Sequence, residues 1–110
     1  MSYDDDWPDM TWENRRLKIK KTIRPVTLAE LKQLGERSFP IVTDPWCTRY
    51  NEFLANHADE KFYLADIPEK ALIVYCRDAN KGIWFLPDGK GMGIIQSKGL
   101  QILADVVDAH

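Results

Sequence analysis

The sequence predicts a small α+β domain with two layers, in which helices pack on an antiparallel sheet of four or five strands. Two amphipathic stretches with helix-capping residues come early in the chain, and a third apolar-periodic stretch closes it. Between them, residues 61–96 contain short runs of aromatic and β-branched side chains separated by turn residues. This order of elements is typical of an α+β fold.

Charge divides the start of the chain into two blocks. Five acidic residues fall within the first thirteen positions, and six basic residues fall within the next eleven. We expect residues 1–12 to form a flexible acidic arm in front of a single domain spanning residues 13–110. Trp7 and Trp12 are unusual in such an arm, because disordered segments are poor in aromatics. At least one of them is therefore expected to dock on the domain or on another chain.

The first strand is predicted at residues 17–23, with the sequence LKIKKTI. Leu17 and Ile19 share one face and lysines occupy the other, which indicates a strand with one solvated face. Lysines discourage unwanted pairing at the edge of a sheet. This strand is therefore expected at a sheet edge.

The first helix is predicted at residues 28–34. Thr27 is placed to cap it, and Glu30 follows at the spacing of a capping box. Gly35 is expected to end the helix in a left-handed conformation. The buried stripe of this helix is expected to consist of Leu28, Leu31 and Leu34.

The second helix is predicted at residues 45–57. Thr43 or Asp44 is placed to cap it, and Pro45 takes the first helical position, where its missing N–H does no harm. One face of this helix carries Trp46, Tyr50, Phe53, Leu54 and His57. Such a large aromatic stripe indicates that the helix covers a broad apolar surface.

Four further strands are predicted near 61–66, 71–77, 83–87 and 93–96, and a closing helix near 98–108. Asn80, Lys81 and Gly82 suit a short hairpin loop with Gly82 at positive φ. Ser97 is placed to cap the closing helix. Its core face is expected to carry Leu100, Leu103, Val106 and Val107.

Residues 85–99, FLPDGKGMGIIQSKG, contain four of the six glycines and raise the question of a phosphate-binding loop. The spacing fits neither the P-loop nor the dinucleotide fingerprint, because isoleucine or glutamine stands where each needs glycine. Pro87, Asp88 and Gly89 instead match a turn with Gly89 in the left-handed position. Gly91 and Gly93 then permit a bulge or the close approach of another group, which we expect to be a protein surface.

The first function hypothesis is a cytosolic, non-enzymatic domain that binds another protein or a second copy of itself. An adaptor, an inhibitor and an immunity-type neutraliser are concrete forms of it. Four residues each of tryptophan, tyrosine and phenylalanine are more than a small core obviously needs, and aromatic residues and methionine are enriched at interfaces. The expected contact residues are Trp84, Met92, Lys90, Gly91, Trp7 and Trp12. If helices cover one sheet face only, an exposed patch is expected from Tyr63, Tyr75, Trp84 and Met92; the alternative is that both faces are covered.

The second hypothesis is a thiol-dependent enzyme or redox sensor that uses Cys47. A cysteine in the first turn of the helix at 45–57 is favoured as a thiolate by the macrodipole, and Arg49 adds positive charge. No second cysteine follows at position 50, and His57 lies too far along the same helix to act as its base. The alternative reading of Cys47 is a small, half-buried packing residue.

The third hypothesis is nucleic-acid binding through residues 15–24. The net charge of −2 and the preceding acidic residues argue against it. The residues expected to contact phosphates are Arg15, Arg16, Lys18, Lys20 and Lys21.

The remaining observations argue against other classes. No apolar run approaches the ~20 residues that span a bilayer, and the first residues lack the apolar core of a signal peptide. A cytoplasmic location without membrane contact is therefore expected. Two cysteines and two histidines without paired spacing predict neither a metal site nor a cofactor. The absence of a catalytic set in the sequence favours a protein that is not an enzyme.

Overall fold

The computed structural model describes residues 9–67, 71–89 and 91–109. The helices of this part of the chain are α1 (Asp9–Thr22), α2 (Leu28–Ser38), α3 (Pro45–Asn56) and α4 (Ser97–Ala109). The strands are β1 (Arg24–Val26), β2 (Phe62–Ile67), β3 (Ala71–Cys76), β4 (Lys81–Phe85) and β5 (Met92–Ile94). They form one antiparallel sheet in the order β1-β2-β3-β4-β5, which confirms the predicted α+β class and the antiparallel sheet.

Helices lie on both faces of this sheet. One core cluster joins α1 and α4 to strand residues such as Ile73 and Trp84. The other cluster joins α2 and α3 to Val74 and Phe85, the next residues along the same strands. Side chains of a strand alternate between its faces, so the two clusters are separated by the sheet. The sheet is thus enclosed between two helix pairs, instead of being covered on one face as in the expected two-layer arrangement.

The strand predicted at residues 17–23 is wrong, because α1 covers nearly all of this stretch. The buried residues of α1, together with the residue that follows it, are three or four positions apart, which is the spacing of one helix face: Trp12, Arg15, Ile19 and Ile23. Leu17, which the strand prediction placed on the same face as Ile19, is 59% exposed. The apolar period of a helix is not apparent in this stretch because a charged residue, Arg15, occupies one of the buried positions.

The acidic arm predicted for residues 1–12 falls largely outside the described residues. Its last four residues belong to the first turn of α1, which begins at Asp9. Trp12 docks on the domain, as expected for one of the two tryptophans, and Trp7 lies outside the described part of the chain.

Helix α2 begins where it was predicted and continues past Gly35. The Thr27 hydroxyl accepts a hydrogen bond from the backbone N–H of Glu30 at 3.1 Å, which confirms the cap. The carboxylate of Glu30 bonds to the Arg24 guanidinium at 3.1 Å. Gly35 does not end the helix. It is buried within it, and a Cβ at this position would lie 2.5 Å from Cε2 of Tyr50 on α3. The absence of a side chain at Gly35 therefore allows α2 and α3 to approach each other.

Strand β1 was not predicted, and α3, α4 and β2 to β5 agree with the predictions to within two residues at each end. In α3, Pro45 is the first residue and the Asp44 carboxylate accepts a hydrogen bond from the backbone N–H of Trp46 at 2.9 Å. Of the two capping candidates, Thr43 and Asp44, the structure uses Asp44.

The two hairpin turns show where positive φ is needed. Gly89 has φ 76°, and its N–H donates to the carbonyl of Leu86 at 2.9 Å, which confirms the turn predicted there. In the turn between β3 and β4, the positive φ of 52° belongs to Asn80 and not to Gly82. Gly82 already lies within β4, and asparagine tolerates the left-handed region.

Candidate functional site

The two edges of the sheet differ in how they are protected. At one edge, β1 has the sequence RPV, with Arg24 and Pro25 exposed. Charge and the missing N–H of proline both discourage the addition of another strand. At the other edge, β5 has the sequence MGI, which contains neither a charged residue nor proline. The edge formed by β5 is therefore the less protected of the two.

The pairing between β4 and β5 leaves one row of backbone groups pointing outward. The N–H of Leu86 donates to the carbonyl of Gly91 at 2.9 Å, and the N–H of Ile95 donates to the carbonyl of Gly82 at 3.0 Å. Hydrogen-bonded positions alternate along an antiparallel ladder. Positions 91, 93 and 95 thus face β4, and the backbone groups at positions 92 and 94 point away from it.

An apolar groove of about 780 Å³ lies between α3 and this edge. Its apolar lining comes from α3, β4 and β5 and consists of Trp46, Phe53, Ile83, Met92 and Ile94. Helix α3 also contributes Arg49 and Glu52. Ile94 is 68% exposed, which is high for an isoleucine. We call this combination of the β5 edge and the groove beside α3 the edge site.

The residues predicted to contact a protein are spread over the molecule. Met92 lies in the edge site, and Gly91, the residue before β5, is buried. Trp84 and Trp12 are 1% and 6% exposed and belong to the core that α1 and α4 cover. The predicted positions Trp7 and Lys90 lie outside the described residues.

Helices cover both faces of the sheet, so the alternative to an exposed patch of Tyr63, Tyr75, Trp84 and Met92 holds for two of these four residues. Tyr75 and Trp84 are 0% and 1% exposed, because α1 and α4 cover their face of the sheet. Sequence reasoning missed Trp46, Phe53 and Ile94 as surface residues. The contrast between the protected RPV edge and the unprotected MGI edge points to them. That contrast can be recognised only when the strand order, and thus which strands form the edges, is known.

The chain's own Trp84 occupies the space above Gly93. These two residues are direct partners across β4 and β5, and a Cβ at Gly93 would lie 2.5 Å from Nε1 of the indole. The close approach that the glycine-rich sequence predicted is thus present, but on this face the approaching group is an indole of the same domain and not a protein surface.

Cys47 lies in the first turn of α3, as predicted, and is 8% exposed. The Asn51 amide donates to its Sγ at 3.6 Å. It lines a second groove, of about 720 Å³, between α2 and α3, and no histidine is among the described residues that line it. A cysteine–histidine pair is therefore not formed at Cys47 within the described part of the chain.

The basic segment at residues 15–24 is distributed around a helix and the start of β1. Arg15 is buried, with its guanidinium 5.9 Å from the centre of the Trp12 ring. Arg16 lies 3.7 Å from the carboxylate of Asp105. The exposed basic residues of α1 include Lys18, Lys20 and Lys21. The basic side chains therefore do not form the flat row that a strand would present. Nucleic-acid binding through them stays a prediction.

Two side chains that are three positions apart meet a third, distant in sequence, at one end of the sheet. Nδ1 of His57 lies 2.5 Å from Oε2 of Glu60, and the thiol of Cys76 donates to the same oxygen at 3.1 Å. Hydrogen bonds from Cys76 and His57 lower the pKa of the Glu60 carboxyl. Burial is the main cause that raises the pKa of the Cys76 thiol.

Strand register explains why the sequence did not reveal this cluster. Phe62, the first residue of β2, pairs with Cys76, the last residue of β3. Glu60 stands two positions before Phe62, and His57 is the capping residue that follows α3, just before the turn that holds Glu60. The prediction of no metal site was based on spacing along the chain only. The β2–β3 hairpin brings Cys76 to His57 and Glu60, which no such spacing shows.

Comparisons of the chain with protein-family models, curated proteins and solved structures found no match. Within residues 9–67, 71–89 and 91–109, no helix has both the length and the apolar character that crossing a membrane requires.

Proposed function

We propose that this chain is a protein-binding domain that recognises an extended segment of a partner by adding it to β5. The observation that carries the proposal is an uncharged, proline-free sheet edge lying directly beside an apolar groove. In strand addition, backbone hydrogen bonds provide affinity and pockets for alternate side chains provide specificity. The edge site offers both.

The dimensions of the edge define the ligand. Residues 91–95 pair with β4, and at ~3.4 Å per residue they span about 17 Å. An added segment of about five residues would bond to the outward backbone groups at positions 92 and 94. Every second side chain of that segment would enter the groove, where Trp46, Phe53 and Met92 favour an apolar residue. Arg49 and Glu52 would select polar groups beside it.

A partner segment fits this site better than a second copy of the chain. A stable protein interface buries ~1,600 Å² in total, and a pairing of about five residues is short for a dimer that depends on it. Short extended segments bound at a sheet edge are common in recognition domains. Both cysteines are free thiols, which suits an adaptor or inhibitor working in the reducing cytoplasm.

Selection from a random peptide library displayed on phage tests the proposal. A selected peptide is titrated into the wild type, Ile94→Lys and Val42→Lys. Val42 is 80% exposed and lines the groove between α2 and α3, so Val42→Lys controls for an added charge away from β5. Ile94→Lys should weaken binding by about tenfold or more, equivalent to ~1.4 kcal/mol. Val42→Lys should bind like the wild type, and the peptide should protect the Met92 and Ile94 amides from hydrogen exchange.

Several results would contradict the proposal. Selected peptides that bind Ile94→Lys as tightly as the wild type would exclude the edge. Loss of binding in Val42→Lys alone would assign recognition to the groove between α2 and α3. A dimer in sedimentation that Ile94→Lys dissociates, together with no selected peptide, would make a second copy the occupant of β5.

A further inference from the structure

We infer that His57, Glu60 and Cys76 form a binding site for a single zinc ion. The inference is independent of strand addition at β5, because these residues lie at the other end of α3 from Trp46 and do not line the edge site. Imidazole nitrogen, carboxylate oxygen and thiolate sulfur are the three ligand types that zinc binds in proteins.

The three ligand atoms are already close to the spacing that zinc needs. Nδ1 of His57, a carboxylate oxygen of Glu60 and Sγ of Cys76 all lie within 4.8 Å of one another. Around a tetrahedral zinc ion with bonds of ~2.0–2.3 Å, ligand atoms are about 3.4–3.6 Å apart. The oxygen of Glu60, now 2.5 Å from Nδ1 and 3.1 Å from Sγ, has to move outward.

That movement is small and is available to Glu60. For the oxygen of Glu60 the required shift is less than about 1 Å, from the difference between the present and the tetrahedral separations. Nδ1 of His57 and Sγ of Cys76 lie at most 4.8 Å apart, so the imidazole has to turn toward the thiol by no more than about 1.4 Å. The Glu60 side chain is 31% exposed, so it can change rotamer without disturbing the core. His57 and Cys76 are held by more rigid elements, the end of α3 and the last residue of β3. Cys76 thus provides a buried ligand on a strand, and the side chains of Glu60 and His57 adjust to the ion.

The surroundings favour an ion that solvent can reach. The side chain of His57 is 14% exposed, whereas Cys76 is fully buried. The ring of Phe53 packs on His57 with 5.0 Å between centroids and covers the imidazole from the helix side. Three protein ligands with a solvent-facing fourth position are typical of zinc sites that hold a water. On binding, the Cys76 thiol would lose its proton to solvent as the zinc–sulfur bond forms.

Titration with cobalt(II), a spectroscopic substitute for zinc, tests the inference. The full chain is stripped of metal, kept reduced with a phosphine and titrated with cobalt(II). We expect one ion per chain, a thiolate-to-cobalt charge-transfer band, the visible bands of tetrahedral cobalt, and loss of both when zinc is added. Cys76→Ser should abolish the charge-transfer band. Cys47→Ser, which removes the other buried thiol, should leave it unchanged.

Two further variants keep the test decisive if Cys76→Ser folds poorly. His57→Gln and Glu60→Gln alter partly exposed side chains and should weaken cobalt binding by more than the ~10–100-fold that loss of an outer-shell partner costs. Zinc should also raise the melting temperature of the wild type and not that of His57→Gln. Ile94→Lys should bind cobalt normally, which separates this inference from the proposal for the edge site.

Three outcomes would overturn the zinc site. The first is the absence of a charge-transfer band at saturating cobalt(II). The second is the spectrum of octahedral, oxygen-ligated cobalt, which would indicate adventitious binding to carboxylates elsewhere. The third is a band that persists in folded Cys76→Ser and disappears in Cys47→Ser.

Discussion

The indole of Trp84 lies against the backbone of Gly93, its direct partner on the neighbouring strand. Two more aromatic rings occupy the space left by a glycine. Tyr50 lies against Gly35, and Trp12 lies against Gly99, where a Cβ would be 2.5 Å and 2.7 Å from the respective rings. Three of the six glycines thus provide room for rings that join helix to helix or strand to strand.

Substitution of Gly93 by alanine should destabilise the domain by about 1–3 kcal/mol, the usual cost of overpacking a core. The added methyl group would lie 2.5–2.7 Å from three atoms of the Trp84 indole, which is 1% exposed and has little room to move. Urea denaturation measures the change. In a Trp84→Phe background, which lacks the indole atoms in question, the cost of Gly93→Ala should be smaller. An equal cost in both backgrounds would show that the two residues do not interact.

The Gly35→Ala variant should also be less stable, although alanine is the better helix former. The gain in helix propensity is ~1 kcal/mol, whereas overpacking costs about 1–3 kcal/mol. The new Cβ would lie 2.5 Å from the ring of Tyr50, which is fully buried and donates its hydroxyl to the Leu31 carbonyl at 2.6 Å. Chemical denaturation compares this variant with Glu36→Ala, an exposed neighbour expected to be nearly neutral. Increased stability of Gly35→Ala would contradict the packing.

Removal of the Tyr50 hydroxyl should cost about 1 kcal/mol at neutral pH, because the Leu31 carbonyl loses its buried donor. Burial raises the pKa of Tyr50 above its ordinary value of 10. Above about pH 10 the unfolded chain loses this proton before the folded chain does, so stability falls as pH rises. The stability difference between the wild type and Tyr50→Phe should therefore shrink above that pH. Denaturation at a series of alkaline pH values tests this, and a constant difference would refute it.

The paired Arg77 and Asp108 should produce a small, salt-sensitive stabilisation that acid removes. Nε and Nη2 of Arg77, the residue after β3, donate to the two carboxylate oxygens of Asp108 on α4, each at 2.9 Å. These hydrogen bonds lower the pKa of Asp108 from its ordinary value of 3.8. The stabilisation is therefore complete above that value and is lost as pH falls through the lower, folded pKa.

Comparison of Arg77→Gln with the wild type tests this pair. Below about pH 4, the stability of Arg77→Gln should decline less steeply, because the variant lacks the guanidinium that lowers the pKa of Asp108 in the folded state. High salt should reduce the difference between the two proteins, since the pair is exposed. Arg49→Gln removes one positive charge from α3 and serves as the control. The same acid dependence in Arg77→Gln and the wild type would contradict the prediction.

Signals between chain neighbours predicted much of the fold. The Thr27 cap, the first position of Pro45 and the turn at Gly89 each depend on residues within a few positions of one another. Their hydrogen bonds and backbone angles are largely independent of the rest of the domain. Helix α1 is the exception among the helices, because Arg15 occupies a core position next to Trp12 and interrupts the apolar period.

The candidate sites were accessible from the sequence only in part. Met92 was predicted as a contact residue, but Ile94 becomes significant only once β5 is known to be a sheet edge. The cluster of His57, Glu60 and Cys76 depends on the register between β2 and β3. That register is set by the whole hairpin and by which side chains face each helix pair, so no spacing pattern along the chain reveals it.

The chain alone therefore specified its turns, three helices, four of the strands and the α+β class, because these depend on local bonds and on apolar periodicity. Tertiary packing decided which space belongs to which side chain. Glycines at positions 35, 93 and 99 accept rings from other elements, and α1 and α4 cover the sheet face that a two-layer arrangement would leave open. These arrangements are many-body properties of close packing, in which a residue's role depends on neighbours that the chain brings together only when it folds.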